Sequence, residues 1–209
     1  MNGRNHITAK EALERLREGN RRFVENRSAC RELLKDSLCV EPAAGQQPFA
    51  IILGCSDSRV PAELVFDQGF GDLFVIRVAG NIVAPSQVGS VEFAAERFGT
   101  RLVVVMGHSW CGAVLATLEA LRRPGEAHSR NMRSIIDRVR PSIEPLLDTE
   151  LSRDPDKLKR EAIRANIRAS VGHLRHGSDI LERLAGQDGL KIAGAEYSLE
   201  TGVVDFFGE

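Results

Sequence analysis

The 209-residue chain is 43% hydrophobic and 27% charged, with 28 basic against 29 acidic residues and a formal net charge of −1. This is the composition of a globular chain long enough to bury a core, and it excludes a disordered or low-complexity polymer. The balanced charge gives no reason to expect nucleic acid or an anionic membrane as partner, and no apolar run approaches the ~20 residues that span a bilayer.

The first residues, Met1-Asn2-Gly3-Arg4-Asn5-His6, lack the apolar stretch of a secretory signal, so a cytoplasmic location is expected. The four cysteines, Cys30, Cys39, Cys55 and Cys111, are then thiols or metal ligands rather than disulfides. Thr8-Ala9-Lys10-Glu11 is a capping box, with Ile7 placed to staple one turn in. Leu13, Leu16, Asn20, Phe23 and Val24 follow near helical spacing, predicting an amphipathic helix from residue 8 to about Asn26. Its apolar face has no evident cover within one compact domain. Cys30 and Cys39 flank a second short helical stretch and read as ordinary thiols, and Pro42 to Pro48 is rich in turn residues.

Phe49-Ala50-Ile51-Ile52-Leu53 is short, apolar and bounded by Pro48 and Gly54, which predicts an interior strand. After the loop Gly54 to Pro61, Pro61 opens a short helix through Phe66, and Gly69 and Gly71 break the chain. Leu73 to Val78 is a second strand and Ala79-Gly80-Asn81 a loop. Pro85 to Phe98 is a helix, with Val88, Val91, Ala94, Ala95 and Phe98 on one face and Gly99 as its stop. A third strand, Leu102 to Met106, leads through Gly107-His108-Ser109-Trp110-Cys111 into a helix over Gly112 to Leu121, ended by Pro124-Gly125.

Residues 130 to 185 are helical in pattern, with breaks expected at Pro141 and Pro145 and an N-cap pair at Asp154-Pro155. Ala162, Ile163, Ala165, Ile167, Ala169, Val171 and Leu174 are the expected buried positions. Leu190 to Ala195 and Val203 to Phe207, joined across Glu200-Thr201-Gly202, form a hairpin whose last strand is antiparallel at an edge. Strands alternating with helices predict a single α/β domain over 1–209, an N-terminal helical arm (1–45) and a core (46–209) with a mostly parallel central sheet and helices on its faces.

Two predicted strands end in soft metal ligands. The first delivers Cys55, and the second delivers His108 and Cys111. In open α/β sheets, ligands sit beyond the carboxyl ends of the strands, near a switch in strand order. If the two strands are neighbours, two thiolates and an imidazole converge on one zinc ion and leave a fourth position open, the pattern of a catalytic site. Cys111 begins a helix, where the amide dipoles favour a thiolate. Asp57 and Arg59, at i and i+2 on the first loop, can pair and hold a carboxylate beside the metal. His173 and His176 lie at i, i+3 beside Arg175 and read as a solvated face, and His6 and His128 sit in polar stretches.

At these residues the chain resembles the β-class carbonic anhydrases. The matching text is Cys55-Ser56-Asp57-Ser58-Arg59, Arg77-x-Ala79-Gly80-Asn81 and Gly107-His108-Ser109-x-Cys111-Gly112, with Gly19-Asn20-Arg21-Arg22-Phe23 and Arg164-Ala165-Asn166 beside it. The resemblance implies one zinc per chain on Cys55, His108 and Cys111, and an Asp57–Arg59 dyad orienting the fourth ligand. It implies reversible hydration of carbon dioxide to bicarbonate by attack of zinc-bound hydroxide, a lyase reaction. Gln46, Phe74 and Gly112 fall at substrate-contacting positions, and Phe93 stands where the plant-type members carry a tyrosine. Phe74, Phe93 and Val78 are the candidates for an apolar pocket wall.

The resemblance also implies a homodimer or dimer of dimers, with sites at the subunit interface and N-terminal helices crossing onto the partner. Members with a bicarbonate pocket carry tryptophan three residues before the first zinc cysteine. Here that residue is Ile52, although Arg77 is present and Tyr197 is a candidate third member. The chain therefore reads closer to the plant-type subgroup, with Asp57 staying on Arg59. Hydrolysis of CS2 or COS at the same zinc, a non-catalytic bicarbonate sensor, and a metal-free cysteine-nucleophile or redox enzyme using Cys111 with His108 are the alternatives.

Overall fold

Four of the apolar runs become the parallel strands of one sheet in the computed structural model, which describes residues 7–28, 45–123 and 128–208. They are β1 (Ala50–Gly54), β2 (Leu73–Arg77), β3 (Leu102–His108) and β4 (Lys191–Tyr197). A fifth strand, β5 (Val204–Phe207), runs antiparallel to β4, and the order is β2-β1-β3-β4-β5. The hairpin and its edge strand are as the sequence predicts. β1 and β3 are buried along their whole length because both faces are covered, which is why they read as continuous apolar runs rather than alternating ones.

The period of two is still present in the packing. Ile51, Leu53, Val103, Val105 and Ile192 face one core, whereas Ala50, Ile52, Val104, Met106 and Ala195 face the other. The first core is closed by α3 (Pro85–Arg97), α4 (Gly112–Arg122), α5 (Arg130–Ile143), α6 (Pro155–His176) and α7 (Asp179–Gln187). The second is closed by α1 (Ala9–Val24) and the short α2 (Ala62–Val65). The chain passes from β1 outward to β2, then returns to the other side of β1 as β3. This reversal makes the carboxyl ends of β1 and β3 a switch point with ligand-bearing loops on adjacent strands.

Thr8 caps α1 with both halves of the capping box formed. The expectation that the apolar face of this helix lacks cover within the chain is wrong. Ala9, Ala12, Leu13 and Leu16 are buried on their own sheet, against the core that holds Ile52, Phe66 and Val104. Ile7 stays exposed. The predicted break at Pro141 also fails. α5 continues through it to Ile143, because a proline in the last turn forfeits only one i→i−4 bond. Pro145 does end the helix, opening the 3-10 turn Glu144–Asp148. Cys30, Cys39 and His6 lie outside the described residues. Among the described residues no helix is long and apolar enough to cross a membrane.

α6 carries a further correction. Asp154 caps it as predicted, and Ala162, Ile163, Ile167, Val171 and Leu174 are buried. Ala165 and Ala169 are only half-buried, and their expected places are taken by the polar Asn166 and Ser170. Close approach of α6 to the sheet is possible because Gly107 has no side chain: a Cβ there would lie 2.6 Å from Ile167.

A similar close approach seats α1. A Cβ on Gly19 would lie 1.8 Å from the Phe66 carbonyl oxygen, a backbone atom that cannot step aside. Gly172, inside α6, meets nothing within 4 Å. Gly19→Ala should therefore lower stability by about 3 kcal/mol or more, from overpacking, whereas Gly172→Ala should raise it by roughly 0.5–1 kcal/mol. Denaturant melts of the two variants check the opposite signs; equal effects would contradict this packing.

Candidate metal centre

β1 and β3 are paired with Gly54 opposite Met106, so Cys55 leaves the sheet one residue later and His108 closes β3 two residues later. The third strand thus runs two residues past the predicted Met106 and carries His108 as its last member. A two-residue turn, Ser109-Trp110, separates it from Cys111, the N-cap of α4. These connections bring one ligand atom each from Cys55, His108 and Cys111 within 4.8 Å of one another, and all three residues are buried. The two sulfurs are 4.0 Å apart.

The His108 ring is oriented by its own neighbour. Nδ1 donates to the Ser109 carbonyl at 2.9 Å, which leaves Nε2 as the atom facing the sulfurs. Nε2 is buried and has no hydrogen-bond partner. A buried, unpartnered imidazole nitrogen beside two sulfurs is a site short of one cation. The S2N donor set suits zinc and leaves a fourth position for a non-protein ligand. The residues present therefore fit zinc.

Charge in the cluster is unevenly divided. The hydrogen bond from Cys111 draws the Cys55 thiol well down despite its burial, aided by His108 and by the Asp57 and Gly80 amides. Cys111 moves the other way. Its bond to the Cys55 sulfur, burial, and the Cys55 charge push it far up, against the Val114 and Ala113 amides at the start of α4. The amides at the start of α4 favour a Cys111 thiolate, as the sequence suggests, but the bond to Cys55 and burial outweigh them. Burial opposes protonation of His108, yet the neighbouring Cys55 sulfur outweighs it and the pKa rises.

Asp57 and Arg59 form the expected pair. Asp57 Oδ1 accepts from the Arg59 amide at 3.0 Å and from Nε at 2.9 Å, and Oδ2 accepts from the guanidinium at 2.7 Å. These bonds, the side-chain ones foremost, hold the Asp57 carboxyl far below the usual range despite its partial burial. Oδ2 lies 3.9 Å from His108 Nε2, so the paired carboxylate borders the cluster.

Two supporting networks were not picked out from the sequence as such. Arg77 donates from Nε to the Cys55 carbonyl at 2.9 Å and from its other nitrogen to the Asp57 carbonyl, bracing the whole loop. Gly80, at φ +71°, donates its amide to Cys55 Sγ at 3.4 Å. Asn166 of α6 holds the Gly80 carbonyl at 2.8 Å, and Ser170 holds the Asn81 carbonyl at 3.0 Å. The readable signal was two buried polar residues on an apolar helical face. Ile52 is fully buried in the sheet, and Arg77 is engaged with the loop carbonyls.

Gly112 follows Cys111 directly, and Val78 donates its amide to the Gly54 carbonyl beside Cys55. Gln46, Phe74 and Phe93 are not at the cluster within this chain. Gln46 is exposed before β1, at the opposite end of the strand from Cys55. Phe74 pairs with Ile51, four residues before Cys55 and so ~13 Å back along the sheet. Phe93 packs on Phe74 with ring centroids 6.2 Å apart and is 53% exposed. His173 and His176 are exposed, as expected, whereas His128 is half-buried.

The carbonic anhydrase family profile matches residues 50–204. Carbonic anhydrase 2 of Mycobacterium tuberculosis is 39% identical over 191 residues, spanning 91% of this chain and 89% of that protein. The Coccomyxa β-carbonic anhydrase, solved in complex with acetazolamide, aligns with a TM-score of 0.69 at 26% identity, over 92% of this chain and 85% of that one. A structure from a study of two tetrameric β-carbonic anhydrases of Sordaria macrospora aligns with a TM-score of 0.69 at 25% identity, over 80% and 84%. With a profile match over most of its length and a relative of this identity and coverage, the chain belongs to the β-class carbonic anhydrases.

Proposed function

We propose that the chain is a carbonate dehydratase, a lyase that interconverts carbon dioxide and bicarbonate, with zinc held by Cys55, His108 and Cys111. The observation that carries this reading is the buried triad itself: three soft donor atoms within 4.8 Å, one of them a histidine nitrogen without a partner. When bound, zinc supplies Lewis acidity that makes a water in the open fourth position nucleophilic near neutral pH.

The chain's own residues do the rest. Asp57, kept ionised by Arg59, is an acceptor-only group at the edge of the cluster, so it orients an O–H donor there and rejects a competing acceptor. Arg77 fixes the backbone that carries both Cys55 and Asp57. Gly112, open at its Cβ position, leaves space at the start of α4 for a small substrate.

Gln46, Phe74 and Phe93 serve as substrate-contacting residues only if a second subunit brings them to this site. An exposed Phe93, an exposed Phe70 and the outer side of β2, which pairs with no strand among the described residues, support a homo-oligomer of that kind, either a dimer or a dimer of dimers. A cytoplasmic location is part of the same proposal. Carbon dioxide hydration measured on purified protein of known zinc content, before and after chelation, tests the function directly.

Cys111→Ser should lose most of its zinc and at least ~100-fold of its activity together, because a serine oxygen is a poor replacement for thiolate on this metal. Full activity after chelation in either protein would contradict the metal reading.

The pH profile gives a second test. Two thiolates neutralise the formal charge of zinc, so the bound water should be less acidic than in an all-histidine site, where its pKa is about 7. Activity should then rise as pH climbs from about 6.5 to 8.5. Asp57 does not produce this slope. Its folded pKa is depressed, so its charge is present above the ordinary carboxylate range and is lost only as pH falls far below that window. On the acid side, zinc itself should be released, since filling the site expels protons from Cys111 and His108. A stopped-flow profile that is flat between about pH 6.5 and 8.5 would overturn the argument.

A further inference from the structure

The two ligands of β3 and α4 are separated by only Ser109 and Trp110, so the conformation of that turn sets the distance between His108 and Cys111. The turn is not a relaxed one. Trp110 has φ +60°, the left-handed region that bulky side chains avoid. Something must hold it there. Packing gives it little support, since Trp110 is 48% exposed at the edge of a cleft, with the Lys159 ammonium 5.6 Å from its ring centroid.

What holds it is one carboxylate from the turn that follows the neighbouring strand, β4. Glu200, in the turn between β4 and β5, accepts from the Trp110 indole nitrogen on Oε1 and from Ser109 Oγ on Oε2, the latter at 2.8 Å. Ser109 Oγ in turn accepts from the Leu199 amide at 2.9 Å, and the Ser109 amide donates to the Tyr197 carbonyl at 2.9 Å. The same Ser109 supplies the carbonyl that holds His108 Nδ1. One exposed acidic residue thus grips both members of the turn, and through them the orientation of one ligand and the placement of the other.

We propose that Glu200 is a positioning residue of the metal centre: it locks the strained Ser109-Trp110 turn so that His108 and Cys111 are held at metal-binding separation. This rests on the zinc reading above. Glu200 does not reach the cluster and has no part in the chemistry. The hydrogen bonds from Trp110 and Ser109 keep it ionised, with its carboxyl drawn down to about 2. A neutral amide in its place can accept from the Trp110 indole but meets Ser109 Oγ by donating to it, and both bonds lose their charge assistance, so Gln holds the turn less firmly.

The test uses full-length zinc-loaded protein and its Glu200→Ala, Glu200→Gln and Thr201→Ala variants. Thr201 Oγ1 accepts from the Val203 amide at 3.3 Å within the hairpin, so its loss loosens the hairpin while leaving the bonds of Glu200 to Ser109 and Trp110 in place. Transfer of zinc to a colorimetric chelator should be roughly 10–100-fold faster in Glu200→Ala, faster also in Glu200→Gln, and near the parent rate in Thr201→Ala. Trp110 is the chain's one tryptophan, so emission reports this turn alone. Its maximum and anisotropy should change in both Glu200 variants, with zinc present and after its removal.

Parent-like zinc release and unmoved emission in the Glu200 variants would overturn the proposal. So would Thr201→Ala matching Glu200→Ala, which would reduce the effect to hairpin stability. A parent protein that retains no zinc would instead fail the zinc reading, and the emission of the metal-free variants would still decide whether Glu200 sets the turn.

Discussion

Two buried thiols 4.0 Å apart cannot both ionise unless a cation lies between them. The rest of the centre follows from that constraint. Without metal, one sulfur carries the charge, the other keeps its proton, and the imidazole nitrogen facing them is left without a partner. Such an arrangement is costly as a piece of core, since a hydrophobic replacement of similar volume would pack without unpaired charge. It is economical as a ligand set. The adjacency of β1 and β3 at the switch point is therefore more than a topological detail: it forces the ligands together against their own repulsion.

Holding such a cluster requires backbone fixed from several directions, and each brace comes from a different element. Arg77 at the end of β2 ties down the carbonyls of Cys55 and Asp57. Asn166 and Ser170 of α6 hold the Gly80-Asn81 turn that donates to the Cys55 sulfur. Glu200 reaches the other half of the centre from the β4–β5 turn. All three act on backbone or on turn side chains rather than on ligand atoms. A site built this way keeps its donor atoms free for metal while their directions are fixed.

Much of this was legible in the sequence, for a physical reason. Strand interiors buried on both faces must be continuous apolar runs, so Ile51 to Leu53 and Leu102 to Met106 announced themselves, and the ligands followed directly at their ends. The Asp57–Arg59 pair was legible because i, i+2 on a short loop leaves little freedom. Less legible was anything depending on which face meets which. Asn166 and Ser170 are polar, so an apolar-only reading assigned their places to Ala165 and Ala169. Pro141 reads as a break because local rules do not know where a helix will end. The cover over α1 is its own sheet, which no periodicity within the helix could show.

Asp57 illustrates how far the geometry decides between states of such a centre. To leave its position and turn toward the sulfurs, its carboxylate would have to give up three bonds from Arg59, two of them charge-assisted side-chain bonds. The loop is tied down as well, since Arg77 holds the Asp57 carbonyl and the Val60 amide donates to that same carbonyl at 3.1 Å. Ile52, three residues before Cys55, is sealed in the sheet and offers no polar surface that would draw Arg77 away. The carboxylate is thus an acceptor at the border of the cluster rather than a fourth donor within it. With zinc in the proposed site, a carboxylate already neutralised from the outside by Arg59 would accept a hydrogen bond from a ligand in the fourth position rather than compete for the metal.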